Sequence, residues 1–224
     1  MNKIPKKELK QFLEQKVKSY NTIGFIADDP IQIPHGFSKK EDIEISAFLT
    51  ATLAWGKRAI IIRNCTQLMD MMDNAPYDFI LNATKSDLLL FEKFVHRTFN
   101  SIDCIYFIKA LKQIYKHEGG LENVFATSFH SSGDFAWSIH QWRNLFLSYQ
   151  SPQRTAKHFA DPVNNSSAKR ICMFLRWMIR KDNCGVDFGI WKSCEPSILY
   201  APLDLHSGRV ARMLGLLSRK QDDW

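Results

Sequence analysis

The sequence predicts an all-α fold, an orthogonal multi-helix array built from many short helices. Apolar residues recur at the three- and four-residue spacing of helices along most of the 224 residues, whereas the alternation typical of strands is scarce. Capping residues, glycines and prolines divide this pattern into short segments, which favours crossed packing over long parallel rods. The length suffices for a substantial core, and no internal repeat or low-complexity segment is present.

The first half of the chain contains five predicted helices. Apolar side chains fall on one face of the first helix: Leu9, Phe12, Leu13, Val17 and Tyr20. After a loop with two prolines, the sequence SKKE predicts a capping box with Ser38 as cap and Glu41 three residues later. The apolar run IEISAFLTATLAWG is interrupted at Gly56, and KRAIIIRNCTQLMDMM continues as a second long helix. Pro76 then opens a short helix, and the sequence TKSD at 84–87 caps another.

The second half continues in the same way. Residues 101–120 form an amphipathic helix that ends at glycines, and Pro152 stops the helix that contains DFAWSIHQWRNLFLSY. Further helices are expected over 166–181 and 205–217, and CGVDFGIW is the one short extended candidate between them. The last residues, SRKQDDW, resemble the opening of another helix with Ser218 as cap, so we expect the protein to continue beyond them.

Composition narrows the class of protein. The net charge of +7 and the isoelectric point of about 9.1 suit a polyanionic partner such as nucleic acid, although a soluble protein can also simply be basic. The five cysteines form no CxxC pair, which favours free thiols in a reducing cytosol and predicts no zinc or iron–sulfur site. With no secretory leader and no apolar run of membrane-spanning length, we expect a cytoplasmic monomer without cofactor or metal.

Two predicted helix starts carry an ionisable residue. Lys169 lies in the first turn of a helix after the polar turn 164–167, and Asp204 precedes the helix at 205–217. Helix starts expose free N–H groups and a positive partial charge, so they bind phosphate and disfavour a protonated lysine. Lys169 is thus a candidate nucleophile, and Asp204 could stabilise developing positive charge. The simpler alternatives stay open: Asp204 as a plain N-cap and Lys169 as a solvated lysine.

At these residues the chain resembles the helix-hairpin-helix DNA glycosylase superfamily. The superfamily has a Gly-x-Gly-x-Lys turn where this chain has NSSAKR, which aligns its catalytic lysine with Lys169. Its later Val-Asp-x-His-x-x-Arg-Val element resembles LDLHSGRV, which matches at Leu203, Asp204, His206, Arg209 and Val210. The last 65 residues or so resemble more closely an uncharacterised bacterial family with Arg-Trp-Met and Pro-Leu-Asp-x-His segments, and the resemblance extends loosely to DIEISAFLTATLAWGKR and FVHRTF.

The chain departs from the superfamily at two points. Asn165 and Ser167 replace the hairpin glycines, and Asn tolerates left-handed backbone angles better than Ser. The interval from Lys169 to Asp204 is long, so KDNCGVDFGIWKSCEPSILYA would be an insertion that carries Trp191 or Phe188 toward the site or lies outside it.

The resemblance implies a base-excision glycosylase, with AP-lyase activity through a lysine Schiff base, acting on damaged bases such as oxidised purines in double-stranded DNA. It also implies a glycosylase-like fold with a helix-hairpin-helix element, as a single unit over residues 1–224. The alternative is two lobes, about 30–150 and 151–224 with the N-terminal helix, with the cleft between them. Lys169 and Asp204 would be catalytic. The residues expected to hold DNA are Asn164, Asn165, Ser166, Ser167, Arg170, His206 and Arg209.

Other readings stay open. The chain could be a non-catalytic helical module that binds nucleic acid, or an enzyme on this scaffold whose substrate is not DNA. Arg176, Trp177 and Arg180 favour an internal cation–π and ion-pair cluster over DNA contact, and Asp187 is expected to cap a helix or pair with one of the arginines. Trp177, Trp191 or Phe188 could stack on an extruded base, and the sequence does not choose between them.

Overall fold

The computed structural model describes residues 4–224, and it confirms the all-α class. Short 3₁₀ turns connect the helices, and a two-stranded hairpin precedes α7. The helices of this part of the chain are α1 Lys6–Tyr20, α2 Gln32–His35, α3 Lys40–Leu53, α4 Arg58–Asp70, α5 Pro76–Asn82, α6 Lys85–Leu88, α7 Ser101–His117, α8 Leu121–Ser132, α9 Phe135–Ser148, α10 Lys169–Ile179 and α11 Leu205–Met213; the strands are β1 Val95–His96 and β2 Phe99–Asn100.

Helix α3 is the central helix of the core. Every residue from Ile43 to Leu53 is buried, as expected for a helix that is apolar on nearly all sides and surrounded by other helices. Phe48 lies at the centre of an aromatic cluster with ring centroids 5.5–5.9 Å away. Its partners come from α7, α9, α10 and the segment between α9 and α10: Phe107, Trp142, Phe146, Phe159 and Phe174. One continuous core therefore joins chain segments on both sides of residue 150.

Two predicted helix starts in the first half of the chain are confirmed and two other predicted caps are wrong. Pro76 is the first residue of α5, and Thr84 caps α6 in a capping box with Asp87. The prediction of Ser38 as a cap is wrong, because α3 begins at Lys40 and its N-cap, Lys39, makes no side-chain capping bond. The predicted helix start at Ser218 is also wrong, since residues 218–224 form no helix.

Two segments differ from the expected strand pattern. The hairpin lies in FVHRTF, where Arg97 takes the left-handed backbone angle (φ 57°) that turns β1 into β2. The extended candidate CGVDFGIW is not a strand; it packs on the end of α10, where the Phe188 and Trp191 N–H groups donate to the carbonyls of Trp177 and Met178 (both 2.9 Å). A short polar hairpin and a strap of this kind carry too little periodicity for sequence patterns to identify them.

Candidate active site at the starts of two helices

Lys169 and Asp204 meet in the folded protein. The Lys169 Nζ donates to Asp204 Oδ2 at 2.5 Å, although 35 residues separate them in sequence. Lys169 is the first residue of α10 and Asp204 is the N-cap of α11, so the pair joins the starts of the two helices. The side chains are 41% and 30% exposed, which leaves both groups accessible to a ligand from solvent.

The Asp204 carboxylate uses its two oxygens differently. Oδ1 accepts the backbone N–H of Ser207 at 2.8 Å, and the Ser207 hydroxyl in turn accepts the Asp204 N–H, which completes a capping box. Oδ2 is left for Lys169. Burial acts to raise the pKa of this carboxyl, but the hydrogen bonds from Lys169 and Ser207 outweigh it and lower the pKa far below its usual range. Asp204 is therefore a charged carboxylate at neutral pH.

The turn before α10 is built from short polar side chains. Asp161 accepts the backbone N–H of Val163 at 3.2 Å and the Asn164 side-chain amide at 2.7 Å, which fixes the entry to the turn. Asn165 has left-handed angles (φ 63°), as expected for the position of a hairpin glycine. The second left-handed residue is Ala168 (φ 46°) and not the residue at the second hairpin glycine, Ser167. A three-residue 3₁₀ turn, Pro162–Asn164, precedes this turn, in place of the first α-helix of a helix-hairpin-helix.

Arg170 does not share the surface of its neighbour Lys169. Its Nη1 donates to the carbonyl of Thr52 near the end of α3, and burial of the guanidinium lowers its pKa. Arg170 precedes the buried Phe174 by four residues, so helical spacing could have predicted this inward position. We therefore leave Arg170 out of the candidate phosphate contacts.

The other residues expected to hold DNA surround the pair. Asn164 and Asn165 are exposed on the turn, and Ser166 and Ser167 are half-buried between them and α10. His206 and Arg209 are exposed on α11, in the first turns after Asp204. The structure therefore keeps these six side chains near the two helix starts and at the surface.

The residues proposed to stack on an extruded base already make contacts inside the fold. Trp177 and Trp191 are buried, and the Trp191 indole N–H donates to Glu44 Oε1 at 2.7 Å. Phe188 stacks on the His35 ring at a centroid distance of 4.3 Å. Neither Lys169 nor Asp204 lines any of the five grooves and cavities described in residues 4–224. The part of the chain described contains no group of three metal-ligating His, Cys, Asp or Glu side chains.

A contact between Trp55 and Arg97 was not predicted from the sequence. Trp55 follows α3, and the guanidinium of Arg97 lies over its ring with the carbon Cζ 4.7 Å from the ring centroid. The loose family resemblance of TLAWGKR and FVHRTF was the available signal, but it did not indicate that the two segments contact each other.

Comparison with known proteins gives one match. A family model described as "Protein of unknown function (DUF2400)" matches residues 29–224. No curated protein and no solved structure matches the chain. Within residues 4–224, none of the helices combines the length and apolar character required to cross a membrane.

Proposed function

The chain belongs to the DUF2400 family, and since the description of that family names no activity, we propose one from the chain's own site: excision of damaged bases from DNA by a glycosylase with AP-lyase activity. Lys169 is the amine nucleophile, and Asp204 is the carboxylate beside it. The substrate class is double-stranded DNA that carries a damaged base, with oxidised purines as the first lesions to test.

The observation that carries this proposal is the 2.5 Å contact between the Lys169 amine and the Asp204 carboxylate. Cleavage of an N-glycosidic bond builds positive charge on the sugar, and a fixed carboxylate stabilises that charge. The low pKa of Asp204 suits this electrostatic role, because the carboxylate keeps its negative charge. It does not suit a general base, because a carboxylate with a low pKa accepts protons weakly. An amine within bonding reach of the same carbon can then capture the sugar.

The proposed reaction releases the base and cuts the strand through a Schiff base on Lys169. The bond between C1′ and the base nitrogen breaks, and its electron pair leaves with the base. The Lys169 ammonium first gives a proton to solvent, and the neutral Nζ then forms a bond to C1′; the proton that this nitrogen loses on bonding neutralises the departing base. The C1′–O4′ bond breaks as the nitrogen lone pair forms the protonated Schiff base, and O4′ takes a proton from solvent. Loss of a proton from C2′ to solvent then expels the 3′-phosphate by β-elimination, and water releases the sugar from Lys169. Asp204 faces the sugar throughout and remains a carboxylate.

The polar turn and α11 supply contacts to the DNA backbone in this proposal. Asn164, Asn165 and the start of α10 offer amide and backbone donors to phosphate, and Arg209 adds a positive charge. A base inside a duplex must be extruded to reach Lys169, which costs a few kcal/mol and is easiest at a damaged pair. The extruded nucleotide would bind against the partly exposed Lys169 and Asp204 side chains.

Borohydride trapping tests the proposal. We expect the protein to form a covalent adduct with a duplex that contains an abasic site or 8-oxoguanine, since borohydride reduces a Schiff base to a stable amine. Lys169→Ala should abolish the adduct. The control is Lys116→Ala in the last turn of α7, which removes an exposed lysine elsewhere and should leave the adduct intact. An adduct that persists in Lys169→Ala would overturn the assignment.

A second candidate function is non-catalytic binding of nucleic acid. The observation that favours it is the full use of Asp204 as a helix cap and ion-pair partner in the folded protein, a role that needs no chemistry. This candidate predicts DNA binding with a steep salt dependence and no adduct in any variant. Indifference to DNA would instead favour an enzyme with another substrate.

A further inference from the structure

We infer that Arg97, stacked on Trp55, is a preorganised contact to a DNA phosphodiester beside the Lys169–Asp204 pair. This inference rests on the proposed function, because that function is the reason for choosing DNA as the polyanion that binds here. It adds a second contact surface, formed by the hairpin β1–β2 and the turn after α3, to the surface formed by the two helix starts.

The Arg97 guanidinium lies over the ring of Trp55, and this contact favours one position of the side chain. The guanidinium carbon lies 4.7 Å from the centroid of the Trp55 ring, within the range of a cation–π contact. Gly56 makes room for this stack, because a Cβ built on it would lie 2.9 Å from Arg97 Nη1. Gly56 also has a φ of 112°, an angle that other residues rarely adopt.

The hairpin that carries Arg97 is held from three sides. Buried His96 donates from Nε2 to the Trp55 carbonyl at 3.2 Å, and its Nδ1 accepts the side-chain amide of Asn64 at 3.0 Å. Arg154 donates to the Thr98 carbonyl at 2.9 Å. Arg97 itself keeps a left-handed φ of 57°, which is uncommon outside glycine and persists only where the surroundings hold it.

The hydrogen-bond donors of Arg97 remain free. Among residues 4–224, no carbonyl, hydroxyl or carboxylate accepts from this guanidinium, and no ion pair includes it. A guanidinium that lies over an aromatic ring can still offer its free N–H donors to a phosphate in a bidentate geometry. Lys57 is exposed on the turn that follows Trp55 and adds positive charge to this surface.

Arg170 packs the start of α10 against the end of α3 that precedes Trp55. Lys169 and Arg170 are consecutive at the start of α10, and the Arg170 guanidinium binds the carbonyl of Thr52. Thr52 is three residues before Trp55, so the start of α10 and the Arg97–Trp55 stack lie at the same end of α3. In this proposal, a nucleic-acid strand bound at the start of α10 extends to Arg97.

Binding of an undamaged 20-base-pair duplex, measured by fluorescence anisotropy over a series of salt concentrations, tests this inference. We expect Arg97→Gln to weaken binding about tenfold and to reduce the salt slope by about 1, because one phosphate contact is lost. Lys116→Gln is the matched control, because it also removes one positive charge but lies far from the hairpin. The hairpin leads directly into α7, and Lys116 is about 22 Å along that helix from its start. It should change the affinity less than about twofold.

A second variant separates the stack from the charge. Arg97→Lys keeps the positive charge and should restore the salt slope, but it should not restore the full affinity, because lysine lacks the planar fork. Full recovery in Arg97→Lys would overturn the stacked geometry as the cause. Equal losses in Arg97→Gln and Lys116→Gln would overturn the local contact in favour of bulk charge. Binding of each variant to anionic phosphatidylserine vesicles is measured in parallel. If Arg97→Gln weakened vesicle binding and left DNA binding unchanged, the assignment to DNA would also be overturned.

The two proposals fail separately. The duplex in this experiment carries no lesion, so its outcome does not depend on the Lys169 amine. Arg97-dependent binding without a borohydride adduct would overturn only the glycosylase. A Lys169-dependent adduct with unchanged binding by Arg97→Gln would overturn only the Arg97 contact. A thermal melt of each variant confirms that it is folded under the conditions of the assay.

Discussion

Asp204 combines a structural and a chemical role in one side chain. Its Oδ1 caps α11 through Ser207, and its Oδ2 accepts from Lys169. The cap was predictable from the sequence, because capping depends on residues within one turn of each other. The contact with Lys169 was expected only from family resemblance, since no local rule relates residues this far apart in sequence. The inward position of Arg170 was missed because the resemblance was given more weight than its helical spacing to Phe174.

Asp204→Asn isolates the charge of this carboxylate, since Asn caps helices as well as Asp does. We expect the free energy of unfolding at pH 7 to fall by less than about 1 kcal/mol, the usual contribution of an exposed ion pair. The folded pKa of Asp204 is lowered from about 3.8, so the charge stabilises the fold above that pH and loses its effect as the pH falls through the folded value. Urea unfolding from pH 3 to 7 should show the wild-type advantage narrowing below about pH 4. A difference that does not change with pH would contradict this.

The same variant tests the electrostatic role in catalysis. Asp204→Asn keeps the helix start but removes the negative charge that faces the sugar. Loss of one such group typically slows the chemical step by about 10²–10³-fold. We expect base release from an 8-oxoguanine duplex to slow by that factor, measured under single-turnover conditions. A rate equal to that of the wild type would indicate that Asp204 is only a cap.

At the scale of elements, the segment between α10 and α11 is part of the core. Asp187 forms ion pairs with both Arg176 and Arg180, where the sequence predicted a cap or a pair with one arginine, and no cation–π contact to Trp177 occurs in residues 4–224. The Trp191 ring centroid lies 5.5 Å from that of Phe174 and 6.2 Å from that of Phe125. The sequence presented this segment as an insertion, because a strap held by long-range contacts shows neither helical nor strand periodicity. Its attachment to α10 determines where the chain arrives at Asp204.

Trp191→Ala tests whether this strap stabilises the fold. The substitution empties a buried indole site and removes the hydrogen bond to Glu44, whose carboxyl pKa is raised by burial. We expect the free energy of unfolding to fall by about 3–5 kcal/mol, the typical cost of a buried tryptophan. Trp137→Ala is the matched control, because Trp137 is 43% exposed on α9 and should cost less than about 1 kcal/mol. Urea unfolding of both variants makes the comparison, and equal costs would contradict a core role for the strap.

At the scale of the whole molecule, periodicity predicted the helical class and most helices, because those depend on local residue spacing. It could not predict which apolar faces would be covered. Phe12, Val17 and Tyr20 on α1 are 42%, 54% and 64% exposed, although their spacing on one face predicts core packing. The matched family region begins at residue 29, after this helix. We therefore predict that the core around Phe48 forms without α1.

Removal of residues 1–20 tests this independence. Helix α1 buries none of its residues, whereas Asn21 just after it donates to Asp182 at 2.7 Å, so the cut leaves that contact in place. We expect the melting temperature to shift by less than about 2 °C, since in a chain of this size 1 kcal/mol corresponds to about 2–4 °C. The helical far-UV circular dichroism signal should fall in proportion to the loss of the 15 helical residues of α1. A larger shift would mean that the apolar face of α1 packs against another copy of the chain in solution, and a melting temperature that depends on protein concentration would identify that contact.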